Sequence, residues 1–438
     1  MKISLLLFFS TISLALQAQQ PAIQFFRPYS KAGINIFETT KVDTTLFTGI
    51  KVRIGGNFTQ DFQRLGHHNN AMPLLVDGVN TNQLMPLTNG FNLAMANLNI
   101  DAQLADGIRM NLTVYLSSRH HEETWVKGGY IQFDKLLFLK SDVVDNIMKN
   151  ITIKIGDYEV DYGDQHFRRT DGGNSTYNPF IENHIMDQFA TEIGGEIYFH
   201  PANGLIIMGG ITDGELNPTV VAPTKIDSAT GKVNKYRPAF HGKLGFDRQI
   251  NDDLRLRLTG SIYAVKSTGN NTLFGGDRTG SHYYYVMENT AATTDANAFS
   301  GRYNPQFREQ VTTFMINPFA KFKGLEFLGT YEVAKGRLIT EPDARTATQY
   351  AFDLIYRFPA RSEHFWIASR YNSVTASLPS NPADITINRV TASAGWFITK
   401  NIMLKAEYVN QQYKNFISAD IRSGGKFDGF MLEASVGF

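Results

Sequence analysis

The chain has no cysteine, which excludes disulfides, thiolate metal sites and anchoring through a lipidated N-terminal cysteine. Proline is sparse, 15 in 438 residues, so few positions interrupt regular structure. Net charge is nearly absent: 42 Lys and Arg stand against 41 Asp and Glu, which argues against a general nucleic-acid surface. Beyond the N-terminus, no stretch approaches the roughly 18 apolar residues that a membrane-crossing helix needs. Plentiful instead are Gly (37), Phe (32) and Tyr (19), a composition of strands and turns.

The N-terminus reads as a secretory signal. Met1–Lys2 carry the only early charge, Ile3–Leu16 is largely apolar, and cleavage is expected after Ala18, or after Ala15. The expected division is a signal peptide over 1–18, a periplasmic N-terminal arm over 19–47, and a transmembrane barrel over 48–438.

The barrel expectation rests on a period of two. From Gly429 to Phe438, Phe430, Leu432, Ala434, Val436 and Phe438 fall on one face, with Met431, Glu433 and Ser435 on the other. The same alternation recurs upstream. Leu254, Leu256 and Leu258 oppose Arg255 and Arg257; Phe352, Leu354 and Tyr356 oppose Asp353 and Arg357. Val390, Ala392 and Ala394 oppose Arg389; Ile108, Met110 and Leu112 oppose Arg109; Val52 and Ile54 oppose Arg53. The strand set is 48–61, 90–103, 107–118, 124–134, 151–160, 189–199, 204–212, 238–249, 254–266, 310–322, 325–336, 346–358, 363–373, 386–398, 401–413 and 427–438. That makes sixteen, or eighteen if His282–Val286 adds a strand. Short and long links alternate, as periplasmic turns and outer loops do in a membrane barrel. Two links break the rhythm: 119–123 is short where an outer loop is expected, and 135–150 is long, with a small helix expected around Val143–Met148. The fold class expected is therefore all-β, a transmembrane antiparallel up-and-down barrel.

The terminal strand closing on Phe438 resembles the last strand of Gram-negative outer-membrane barrels. In that family the final aromatic is part of the signal read by the barrel-assembly machinery. Chain length and strand rhythm resemble the general porins. The stretch from Phe25-Phe26-Arg27-Pro28-Tyr29 to Gly33-Ile34-Asn35-Ile36-Phe37-Glu38 looks like the N-terminus of porin-like proteins of Bacteroidota. The segment from Ile153-Lys154-Ile155-Gly156 to Gly194-Gly195-Glu196 is loosely similar to phosphate-selective porins, without their dense run of lumen Lys and Arg. These resemblances imply an outer-membrane location, contact with lipid and lipopolysaccharide, passage of small hydrophilic solutes and a homo-oligomer. They imply no cofactor and no catalysis. A non-conducting barrel with a structural, assembly or partner-binding role is the alternative.

In general porins a long early loop folds into the lumen. By that resemblance 161–188 is the expected constriction loop, with Asp164, Arg168, Arg169 and Asp171 facing the wall residues Arg53 and Arg109. Opposed charges there would sort solutes by a transverse field. Arg255, Arg257, Arg357, Arg389 and Glu433 are expected on the lumen face, where the charges lean mildly toward anion preference.

Other constellations are weaker. His67-His68 and His120-His121-Glu122-Glu123 have metal-binding chemistry, but neighbouring strand residues point apart, and no metal site is expected. Ser281-His282 near Asp277 pairs a nucleophile with a base, but no Gly-x-Ser-x-Gly elbow supports it, and no enzyme is expected. Tyr283-Tyr284-Tyr285 is expected to pack its loop down.

Overall fold

The computed structural model describes residues 20–119, 124–216, 219–379 and 381–438. The signal reading over 1–18 and the His120–Glu123 cluster lie outside these.

Sixteen antiparallel strands close into one barrel. They are β1 (Lys51–His68), β2 (Met95–Ala105), β3 (Ile108–Ser117), β4 (Thr124–Phe133), β5 (Ile151–Glu159), β6 (Thr191–Phe199), β7 (Leu205–Thr212) and β8 (Ala239–Gln249). The second half comprises β9 (Leu254–Val265), β10 (Gln310–Phe322), β11 (Leu325–Arg337), β12 (Arg345–Phe358), β13 (Phe365–Ala376), β14 (Ile385–Phe397), β15 (Ile402–Lys414) and β16 (Lys426–Gly437). Each strand pairs with its sequence neighbours, and β16 closes on β1 with Phe58 opposite Val436 and Phe62 opposite Leu432. Phe438 completes the seam: its N–H donates to Gly56 O at 3.0 Å and its carbonyl accepts from Gly56 N at 3.1 Å. Closure satisfies the backbone where lipid offers no partner. The first inner turn, Asp106-Gly107, is a two-residue hairpin whose Gly107 holds φ +75°, a conformation that favours glycine.

Two expectations are corrected, and a third, the small helix of the 135–150 link, agrees with the structure. His282–Val286 forms no strand, which settles the count at sixteen. β1 runs seven residues further than expected, to His68, and β2 begins at Met95, leaving Gly90–Phe91 as a short separate pairing with Phe62 and Gln63. The inner-link helix α1 spans Asp142–Met148, capped by Ser141, which accepts from Val144 N at 3.5 Å.

The outward face carries the apolar band of a transmembrane barrel. Leu258, Ile262, Leu354, Ile367, Leu404 and Leu432 are all exposed. Toward the short-turn end, Tyr356, Phe358, Phe365 and Trp396 stack across three strands with centroids 5.7–6.0 Å apart. Toward the loop end Tyr350 meets Tyr371 at 5.9 Å. Tyr350 and Tyr356 lie on one strand, about 20 Å apart at the rise of an extended chain. Two aromatic rings at that spacing match the girdles of a bilayer band about 25 Å tall.

Above that band the pattern inverts. Leu65, Val374, Ile385, Ile387, Tyr413 and Phe427 point inward and are buried, while Arg64, Gln412 and Lys414 point out and are exposed. The strands outlast the membrane there, and the outside meets water while the inside meets a packed loop core.

One close approach locks the short-turn end. Trp366 is buried against Phe397, 5.2 Å between centroids, and its Nε1 donates to Pro179 O at 3.2 Å. A Cβ on Gly395 would stand 1.9 Å from Trp366 Cζ2. Gly395→Ala is expected to lower folded-barrel stability by about 1–3 kcal/mol, the usual cost of overpacking a ring that cannot retreat. A denaturant midpoint unchanged from the parent would refute this account of Gly395.

Candidate functional site: a filled lumen with one remaining path

The lumen is largely occupied. The segment 160–190, between β5 and β6, enters it as two short helical turns, Gln165–Arg168 and Asp171–Tyr177. The segment 266–309, between β9 and β10, lies over it. Ile181, Ile185 and Met186 of the first pack with Tyr283 and Val286 of the second and with Val374, Ile387, Val409 and Met431 of the wall. There the lumen holds a packed apolar core. Tyr283 is buried and its hydroxyl donates to Glu407 at 2.6 Å, so packing is the role of this tyrosine.

Charge fixes the same segments. Asp164 is fully buried; both carboxylate oxygens accept from Arg257 at 2.8 Å, and its backbone N–H donates to Asn317 at 2.9 Å. Arg168 donates to Asn35 Oδ1 at 2.7 Å and pairs with Glu326, which also meets Arg357 at 3.3 Å. Arg169 binds Asp187 at 2.6 Å and pairs with Asp171. Arg302, from the covering segment, reaches Glu182 (2.9 Å), Asp187 (2.7 Å) and Asp171 (2.9 Å) at once. Burial would raise the Asp171 carboxyl, but Arg169 and Arg302 hold it well below the usual carboxylate range. Arg389 donates to Gln411, to Asn183 O and to Gly301 O, tying the wall to both segments. Glu433 pairs with Lys405 at 2.8 Å.

The N-terminal arm packs into the short-turn end. Tyr29 donates to Asp101 at 2.8 Å, and Lys41 reaches Asp134 and Ile151 O. Arg27 stacks over Tyr177 at 3.9 Å. Glu38 enters the lumen and accepts from Arg257 at 2.7 and 2.8 Å and from Lys243 at 3.2 Å. Burial would raise its carboxyl, but Arg257 and Lys243 draw it down to about 2. Arg255, half-buried, binds Asp247 at 2.6 Å and Asn35 O at 2.9 Å. Arg53 lies 5.1 Å from the Phe26 ring.

A cavity of about 280 Å³, lined by charged, polar and aromatic side chains, remains along β2–β6. On β4 its lining runs from Lys127 to Gln132, and on neighbouring strands from Asn97, Glu159 and Thr191 down to Thr152 and Tyr198. It therefore follows the wall from near the loop end to near the turn end. Of the residues expected at the constriction, Arg109 and Arg169 line this path; Asp164, Arg168 and Asp171 lie outside its lining, in the bonded plug. Arg109 donates to Gln132 at 2.7 Å, and Lys154 pairs with Glu196 at 2.9 Å. At the loop end Lys127 pairs with Asp277 of the covering segment.

The weaker constellations resolve as structure. Ser281 Oγ donates to Glu182 at 2.8 Å while His282 Nδ1 meets Asp61 at 2.6 Å, so nucleophile and base engage different carboxylates. His67 Nδ1 accepts from Met287 N at 2.8 Å and its Nε2 meets Met85 O at 2.7 Å, which occupies both ring nitrogens.

A closed sixteen-stranded barrel with an inward-folded segment after its fifth strand has the fold of the outer-membrane porins. Among solved structures, an anion-selective porin from Comamonas acidovorans matches at TM-score 0.51 and 10% identity, over 89% of this chain and 100% of that one. The outer membrane channel DcaP of Acinetobacter baumannii matches at TM-score 0.49 and 10% identity, over 91% and 100%. OmpT, an outer membrane protein of Vibrio cholerae, matches at 0.48 and 10%, over 91% and 100%. Likeness at such identity is one of fold. No protein-family model and no curated protein matches the sequence.

Proposed function

We propose that the chain is a channel of the Gram-negative outer membrane that passes small hydrophilic solutes by diffusion through the path along β2–β6. The cavity lined from Lys127 to Gln132 on β4, with charged side chains on the neighbouring strands, is the observation that carries this reading. The half of the lumen against β12–β16 is filled, by apolar packing and by buried pairs such as Arg370–Asp353 and Lys405–Glu433, so the path is far narrower than an open sixteen-stranded barrel would leave. Its basic residues Arg27, Arg109, Lys127, Lys154 and Arg169 are matched by Glu38, Asp101, Asp157, Glu159 and Asp161, which favours small neutral or dipolar solutes over a strong preference for either ion sign. The exposed apolar band supports a place in the outer membrane, with lipid and lipopolysaccharide around it.

Planar-bilayer recording of the folded protein tests this. A low, steady single-channel conductance with a cation-to-anion permeability ratio near one is expected. A sealed bilayer under folded protein would favour the second reading, a barrel whose plug makes it a structural or partner-binding element, which the packed core over Ile181, Ile185 and Met186 supports.

A further inference from the structure

Away from the solute path, one cluster joins the barrel's two ends to the covering segment. Asp61 on β1 and Glu433 on β16 stand directly opposite each other across the closing seam, and both are buried. Like charges face to face on paired strands repel. His282 of the covering segment sits between them, its Nδ1 at 2.6 Å from Asp61 Oδ2 and 3.5 Å from Glu433 Oε2. One donor atom from each of the three lies within 4.8 Å of the others.

Two features besides proximity point to a ligand. Asp61 Oδ1 and Glu433 Oε2 are buried and have no hydrogen-bond partner among the described residues. Lys405 meets Glu433 through Oε1, leaving one negative charge of the carboxylate pair uncovered by lysine. The imidazole is also held as a ligating histidine is. Its Nδ1 faces the carboxylates, while Nε2 lies 3.3 Å from Thr170 O, an acceptor placed to hold the ring proton on Nε2 once Nδ1 binds an ion in place of a proton. Its backbone is pinned on both sides, the N–H to Glu182 at 2.7 Å and the carbonyl by Asn92 at 2.6 Å.

We propose that Asp61, His282 and Glu433 bind one first-row divalent cation, of the Zn²⁺ or Mn²⁺ class, that clamps the covering segment to the closing seam. An imidazole nitrogen with carboxylate oxygens is a donor set these ions take. The spare oxygens of Asp61 and Glu433 supply further ligands without new residues. Donors about 2.0–2.2 Å from the ion stand roughly 3.3 Å apart, so the Asp61–His282 contact widens by less than about 1 Å on loading. The site is enclosed and offers no open position to a substrate, which makes its role structural. The inference rests on the fold and the cluster alone; it holds whether or not the barrel conducts.

Metal analysis of the full-length folded barrel tests it. The protein is stripped with chelator, exposed separately to Zn²⁺ and to Mn²⁺, freed of unbound ion, and its folding checked by heat-dependent gel mobility. The expected result is about one tightly held ion per chain with at least one of the two, falling to background in His282→Gln and in Glu433→Gln. His67→Gln is expected to retain it. Co²⁺ substitution of the unaltered protein gives a second readout, visible absorption bands of nitrogen–oxygen coordination, independent of whether the variants fold. Folded wild-type protein that holds neither ion above the chelated blank would overturn the proposal and leave His282 as an imidazolium between two carboxylates. An ion that survives both variants, or is lost only when His120 and His121 are replaced by Asn, would overturn it equally.

Discussion

Replacing Arg302 by alanine is expected to raise single-channel conductance several-fold while leaving the barrel folded. The guanidinium is buried and bonds Asp171, Glu182 and Asp187 from three directions. Two of these also share Arg169, so its loss leaves three buried carboxylates with one cation between them. Removing one partner from a buried ion network costs about 3–5 kcal/mol, because the remaining charges stay desolvated and unpaired. At 1.4 kcal/mol per factor of ten, that shifts the docked-to-undocked balance of the covering segment by roughly two to three and a half powers of ten. The wall strands keep their ladder hydrogen bonds, so gel mobility of the unheated protein should not change. Arg302→Lys, which retains the charge without the three-way fork, is expected to fall between. Unaltered conductance in a folded Arg302→Ala protein would show that these bonds do not keep the lumen shut.

Arg257→Met is expected to free both the N-terminal arm and the inward segment, and the effect should be visible to trypsin. Arg257 on β9 holds Glu38 of the arm and Asp164 of segment 160–190 with one guanidinium. Methionine fills much of its volume but leaves Glu38 with Lys243 as its nearest cation, at 3.2 Å. Cleavage after Lys31 and Lys41 should become fast in the variant and remain slow in the parent; equal rates would refute the role given to Arg257. Acid offers a complementary check. The Glu38 carboxyl is drawn down to about 2 in the folded protein. Its contribution to docking is thus complete above the ordinary value near 4.5 and declines progressively as pH falls from there through about 2. The parent arm should therefore stay protected at pH 4.

How far the sequence foretold this depends on what each face meets. The alternation of β16 could be read because Leu432 and Val436 meet lipid while Glu433 and Ser435 meet the interior, so each face carries one chemistry. β1 looked shorter than it is because its pattern inverts above the band: Arg64 turns out and Leu65 turns in, the reverse of Phe58 and Asp61 below. A reading that carries one face rule along the strand stops where the surroundings change. The same inversion held the signal for the filled lumen. Met431 sat among polar and small residues, and Ile385, Ile387 and Phe427 fell on the face assigned to water. Only a packed interior accounts for them. The direction of segment 160–190 was not legible, since nothing local distinguishes a solvated loop from one whose Ile181 and Ile185 pack against strands far along the chain. Arg302 and His282 were missed as anchors for the same reason: their partners lie on β1, β16 and the inward segment, brought together only by closure.

The closing seam has a consequence for the order of events during folding. It joins Phe58 to Val436, positions separated by nearly the whole chain, and so carries the largest loop-closure entropy of any strand pair here. Every other wall pairing links near neighbours and can form earlier. Until the seam forms, β1 and β16 expose unpaired edges, the state most open to mispairing with another chain. The plug comes from the middle of the sequence and binds wall residues on both flanks of the seam, Gln63 on β1 through Tyr284 and Glu407 on β15 through Tyr283. A core already in place would hold these flanks near each other, shortening the effective search of the two edges. The interior that narrows the finished conduit would then serve, before closure, as the mandrel around which the sheet is rolled.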